Sequence, residues 1–107
     1  LLDAGFGIEQ RLVYAADAAT AFHPETLAAL KNGRLWGVLF YSARTAEIFN
    51  GLIAASGLPQ NLGKLNALCL SDAIAATLDQ AAWKSVIAAK SPTHLSMMNS
   101  LQASLLD

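Results

Sequence analysis

The run Leu35-Trp-Gly-Val-Leu-Phe-Tyr-Ser-Ala-Arg-Thr45 most constrains what this chain can fold into. Five of its first six residues are apolar, and a short apolar run without alternation is the pattern of a strand buried on both faces. It stops at Tyr41-Ser42, and from Ala43 the apolar residues return at helical spacing. Ser42 therefore sits at a strand-to-helix junction, with a hydroxyl placed to cap the new helix. Two junctions of the same kind follow, at Ser71-Asp72 and at Ser91-Pro92-Thr93. Strands that repeatedly feed helices predict an α/β fold with a parallel sheet flanked by helices on both sides. At the edge where such strands end, the first N–H groups of each helix lack partners, and ligands bind there.

Taken in order, the opening Leu1-Leu2-Asp3-Ala4-Gly5 reads as the last turn of a helix with a glycine C-cap, so we expect a piece of a longer protein. A strand over Ile8–Ala16 follows. His23-Pro24-Glu25 starts a helix, with proline in the first turn and an apolar stripe of Leu27, Ala28 and Leu30, ended by Asn32-Gly33. After the Leu35–Tyr41 strand, Ala46, Phe49, Leu52 and Ile53 mark one buried face of a helix over Ala43–Ala55, stopped by Gly57 and Pro59. Gln60–Gly63 suits a short helical turn, Leu65–Leu70 a strand, Asp72–Gln80 a helix anchored by Ile74 and Leu78, and Trp83–Ala88 a strand. The last helix runs from Pro92-Thr93 to Leu105, with Leu95, Met98, Leu101 and Leu105 on one face. The expected sheet has about four parallel strands in flavodoxin-like style.

Length and charge narrow the function classes. At 107 residues the chain is one domain, and no run approaches the eighteen or so apolar residues of a membrane span. Hydrophobic residues reach 54% against 14% charged, which is apolar enough to suggest that part of the surface is normally covered. A net charge of −1 provides no basic footprint for nucleic acid. One cysteine, Cys69, rules out an internal disulfide and suits a reducing compartment, so we expect a cytoplasmic protein. Cys69 lies in an apolar strand, where a thiol is usually inert. His23 and His94 stand far apart at helix starts, no metal-ligand cluster is present, and there is no phosphate loop or dinucleotide fingerprint.

Ser42, Ser71 and Thr93 each have a sufficient reading as helix caps. Together at one end of the strands, their hydroxyls and the free N–H groups also suit carboxylates or phosphates. Arg44 is either a charged fork for the same anions or a solvated helix residue. Tyr14 ends an apolar strand, a place for a core or an edge tyrosine.

Read together, these landmarks resemble the C-terminal portion of the uroporphyrinogen-III synthase family. They are Leu2-Asp3-Ala4-Gly5-Phe6 before a strand ending Val13-Tyr14, Val38-Leu-Phe-Tyr-Ser-Ala-Arg-Thr-Ala46, Ala67-Leu-Cys-Leu-Ser-Asp-Ala-Ile-Ala75, and Val86-Ile-Ala88 followed by Ser91-Pro-Thr93. The resemblance implies two α/β lobes joined by a connector, with substrate held between them. Residues 1–16 would be the connector and 17–107 one lobe, lacking its first strand and helix and inactive alone. It implies a cofactor-free lyase, working as a monomer, that cyclises hydroxymethylbilane with inversion of ring D and loss of water in tetrapyrrole (haem) biosynthesis. Tyr14 matches the tyrosine that assists departure of the hydroxyl. Ser42, Ala43, Arg44, Ser71 and Thr93 fall at positions expected to hold substrate carboxylates. Ser71-Asp72-Ala73 departs from the Gly-Pro-Thr-type turn of many relatives and brings a negative charge to that loop. The alternatives are a non-catalytic flavodoxin-like ligand-binding or receiver domain, and a purely structural lobe.

Overall fold

The computed structural model describes residues 2–3, 12–18 and 21–106. Among the described residues, five strands form one sheet whose spatial order follows the chain: β1 (Leu2–Asp3), β2 (Leu12–Ala15), β3 (Leu35–Phe40), β4 (Asn66–Cys69) and β5 (Ser85–Ala88). β2 to β5 are parallel throughout, and β1 lies antiparallel on the outer edge of β2. The parallel α/β architecture expected from the apolar runs is therefore present. Leu2–Asp3 is not the tail of a helix. Leu2 pairs with Val13 and Asp3 with Leu12, and a ready-made ladder on β2 satisfies this backbone better than an isolated helical turn. The proposed C-cap at Gly5 and the strand start at Ile8 lie outside the described residues.

Among the described residues, the helices α1 (Pro24–Lys31), α2 (Ala43–Ser56), α3 (Asp72–Ala75) and α4 (His94–Leu106) cover the sheet, with a 3-10 helix over Pro59–Lys64 after α2. Because each strand pairs with the next one in sequence, crossovers of one hand place α1, α2 and α3 on the same face. Their buried residues Leu30, Phe49, Ile53 and Ile74 join Tyr14, Val38, Phe40, Ala67 and Cys69 in one core. α4 alone supplies the helical part of the second core, where Met97 and Leu101 meet Val13, Leu39 and Leu68. Phe49 is the hub of the first core, with ring centroids 5.3 Å from Phe40, 5.5 Å from Phe22, 5.8 Å from Trp83 and 6.2 Å from Tyr14. Edge and tilted contacts of this kind add to the burial of the rings themselves.

Local chemistry sets most helix ends where the sequence placed them. Gly57 closes α2 with φ 70°, a left-handed conformation that a residue with a Cβ resists. α3 is shorter than expected and ends at Ala75. The Thr77 N–H and Oγ1 both donate to the Ile74 carbonyl, at 3.0 and 2.7 Å, occupying the acceptor that a further helical turn needs. The Leu78 N–H turns instead to the Ala75 carbonyl, 3.1 Å away, and Leu78 is buried from a turn rather than from a helix.

Two helices face the sheet with a different stripe from the one expected. In α1, Thr26, Ala29 and Leu30 are buried, Leu27 is only half-buried and Ala28 is exposed. In α4, Met97 and Leu101 are buried, Met98 is half-buried, and Leu95 is 70% exposed. The positions three and four apart remain coherent, but the helix rotation is set by the sheet it lands on. In α2 the expected Ala46, Phe49 and Ile53 are buried, and Leu52 is half-buried. Among the described residues no helix is long and apolar enough to cross a membrane.

Candidate functional site

The C-terminal ends of β2, β3, β4 and β5 lie side by side, because these strands are parallel and consecutive. With neighbouring strands about 4.8 Å apart, this edge spans roughly 15 Å. It carries Asp17 after β2, Tyr41-Ser42 after β3, Leu70-Ser71 after β4, and Ser91-Pro92-Thr93 after β5. Parallel order thus brings Ser42, Ser71 and Thr93 to one rim, although they stand far apart in sequence.

All three hydroxyls are helix caps. Ser42 is extended, at φ −151° and ψ 155°, and its Oγ accepts from the Thr45 N–H at 3.1 Å. Thr45 Oγ1 returns a hydrogen bond to the Ser42 carbonyl at 3.0 Å. Ser71 Oγ accepts from the Ile74 N–H at 3.4 Å, and Thr93 Oγ1 from the Ser96 N–H at 3.1 Å. Ser96 Oγ in turn accepts the Ser91 N–H at 3.0 Å, so the start of α4 is tied back on itself. A cap satisfies the third N–H of a helix and leaves those of the first two positions pointing outward. In α2 these belong to Ala43 and Arg44, both exposed, and in α4 to His94 and Leu95, also exposed. Arg44 adds a guanidinium beside the first of these starts. Asp72 is exposed while Ser71 provides the cap, so the carboxylate is not the capping group of α3.

Tyr14 occupies a different environment. Its ring is 4% exposed and packs against Phe22 and Phe49, with centroids 6.2 Å from each. The hydroxyl donates to Asp17 Oδ1 at 3.5 Å, at the end of β2. Burial, then the negative charge of Asp17, then that hydrogen bond all raise the phenol pKa, so Tyr14 carries its proton at neutral pH. An un-ionised phenol is a proton donor rather than a base.

The sequence reading missed a pair on the same rim. Tyr41 Oη and His94 Nδ1 are 3.1 Å apart, and the two rings stack with centroids at 6.0 Å and planes inclined by 20°. Burial raises the Tyr41 pKa, which keeps this phenol protonated as well. No local signal announces a contact between residues 53 apart in the chain. At the start of α1, His23, Pro24, Glu25 and Thr26 line a further open cleft of about 320 Å³. Cys69 is fully buried, and burial pushes its thiol up to about 12, so it is an inert core residue. Among the described residues no three of His, Cys, Asp and Glu come together to hold a metal ion.

The donors along this edge are capped helix starts, hydroxyls, the Arg44 guanidinium and the Tyr41–His94 pair, groups of the kind that hold anions, with the exposed carboxylates of Asp17 and Asp72 beside them. No curated protein and no solved structure matches the chain. The sequence model of one family does, uroporphyrinogen-III synthase HemD, over residues 1–99 of the 107. Strand, cap and rim thus belong to a recognised lineage, and the chain is a member of the uroporphyrinogen-III synthase HemD family.

Proposed function

We propose that this chain forms one lobe of a uroporphyrinogen-III synthase, the lyase that closes hydroxymethylbilane into a ring with inversion of ring D and loss of water. The observation that carries the reading is the row of hydroxyl-capped helix starts along the sheet edge of a member of this family. A linear tetrapyrrole with a carboxylate-rich periphery needs many weak anion contacts, and backbone N–H groups with hydroxyls provide them without fixing one carboxylate too tightly. Ser42, Ala43, Arg44, Ser71 and Thr93 are assigned to this grip. Residues 1–16 are assigned to the connector toward a second lobe that completes the cleft.

The chemistry asks for a proton at the leaving oxygen. Protonation of the terminal hydroxyl and its loss as water leave an electrophilic methylene carbon. Closure onto the substituted carbon of ring D forms a spirocyclic intermediate; that carbon's bond to the adjacent methylene bridge then breaks, the methylene joins the free α-carbon of ring D, and loss of the proton there restores the pyrrole and leaves the ring inverted. No electrons are gained or lost, so no redox cofactor is required. Tyr14 is assigned to the first step, because it matches the tyrosine that the family resemblance implies there and its hydroxyl lies at the end of β2, 3.5 Å from Asp17 Oδ1. Assay of the full-length protein with hydroxymethylbilane tests this reading. Enzyme-dependent formation of the type III isomer is expected, and type I product alone would refute it.

A further inference from the structure

The Tyr41–His94 pair is a side-chain arrangement that the capping network does not use. It joins the end of β3 to the start of α4 across the end of β4, between elements 53 residues apart. Each partner is the immediate chain neighbour of a residue assigned to the carboxylate grip, Tyr41 beside Ser42 and His94 beside Thr93. The two bonds that tie down the start of α4, Thr93 Oγ1 to the Ser96 N–H and Ser96 Oγ to the Ser91 N–H, leave the imidazole out.

Proton counting defines what the pair presents. A neutral phenol–imidazole pair carries two polar hydrogens. One lies between Tyr41 Oη and His94 Nδ1, so one donor is always directed elsewhere, either the imidazole Nε2–H or the phenol O–H. A protonated imidazole leaves two. The pair thus keeps one donor free of the Oη–Nδ1 contact in every tautomer, and His94, the exposed partner, holds it whenever the phenol donates to Nδ1. Leu95, on the same first turn of α4, is a large apolar residue left 70% exposed. A donor beside an exposed apolar side chain matches a pyrrole ring bearing an acidic arm.

We propose that Tyr41 and His94 form a further carboxylate subsite of the substrate cleft, with His94 as the contacting donor and Tyr41 as the residue that positions its ring. This rests on the synthase reading above. The test is steady-state kinetics of the full-length protein with hydroxymethylbilane. His94→Ala raises KM about tenfold while kcat stays within about twofold, the signature of lost binding common to ground and transition states. His94→Gln, whose amide nitrogen reaches about as far as Nε2, restores most of the KM. Tyr41→Phe raises KM by about threefold and adds nothing further in the His94→Ala background, as expected for a residue acting through its partner.

An unchanged KM in His94→Ala and Tyr41→Phe, with a lower melting temperature, overturns the subsite and leaves the pair a strut between β3 and α4. A fall in kcat at constant KM overturns it as well. If His94→Ala fails to fold, Tyr41→Phe carries the comparison: a KM raised about threefold at unchanged kcat supports the subsite, and an unchanged KM overturns it. Wild-type protein that yields only type I isomer removes the synthase reading and the subsite with it. Wild-type protein that yields type III isomer, with KM insensitive to both residues, removes the subsite alone.

Discussion

Replacing Tyr14 by Phe separates a structural tyrosine from one that works on substrate, because the structure predicts a small effect on stability. The ring keeps its contacts with Phe22 and Phe49, since only the hydroxyl is lost. That hydroxyl makes one hydrogen bond, to Asp17 Oδ1 at 3.5 Å, the outer limit of useful geometry. Asp17 is exposed, so water replaces the lost donor on its carboxylate. The net change in folding free energy is therefore less than about 1 kcal/mol. For a domain of this size that moves the melting temperature by less than about 8 °C.

If the phenol protonates the leaving hydroxyl, its removal lowers kcat by about a hundredfold or more, the ordinary range for a positioned proton donor. The assay is type III isomer formation by the full-length Tyr14→Phe protein, with circular dichroism melting as the control. A rate within about twofold of wild type, at unchanged stability, refutes the assignment of Tyr14 to the chemical step. A melting temperature lowered well beyond that range refutes the structural half of the reasoning.

Three further outcomes follow from the core. A Cβ at Gly37 would overlap the backbone carbonyl oxygen of Asn66 on the paired strand, with the carbonyl carbon 3.1 Å away, so Gly37→Ala must force β3 and β4 apart. The expected loss is about 2–3 kcal/mol in chemical denaturation, and a change below about 0.5 kcal/mol contradicts the clash. Cys69 resists alkylation in the native protein at neutral pH and reacts fully in denaturant; rapid native labelling contradicts its burial. Its folded pKa is raised from 9.0 to about 12, so the associated stability is complete below pH 9.0 and is lost as pH rises toward about 12. Tyr14 and Tyr41, both also raised, add to the alkaline loss with the same sign. Denaturant midpoints measured in Cys69→Ala should therefore fall less steeply across that range than in the wild type.

The helix starts on the rim were legible because capping is local chemistry. Ser42, Ser71 and Thr93 each act within three residues of themselves, and sequence alone identifies such contacts. The apolar runs at β3 and β4 were equally readable, being buried on both faces over several consecutive residues. α3 was overextended because Ile74 and Leu78 keep a helical spacing while the carbonyl that would continue the helix is taken by Thr77. Leu95 was assigned to the buried face because composition cannot report the rotation of α4 on its sheet. Tyr41 and His94 escaped notice for the same reason, as their contact depends on where β3 and β5 lie.

By itself, then, the order of residues in this chain determined the four strands β2 to β5, where three of the helices begin, and that these four strands run parallel. These properties depend on burial runs, caps and short crossovers, all expressed within a few neighbouring residues. Only the tertiary structure decided which helices share a face, which side of each helix is buried, that Leu2–Asp3 joins the sheet, and which distant side chains meet on the rim. Those outcomes depend on pairing between segments tens of residues apart. A burial run or a cap contains no information about its distant neighbour until the sheet has formed.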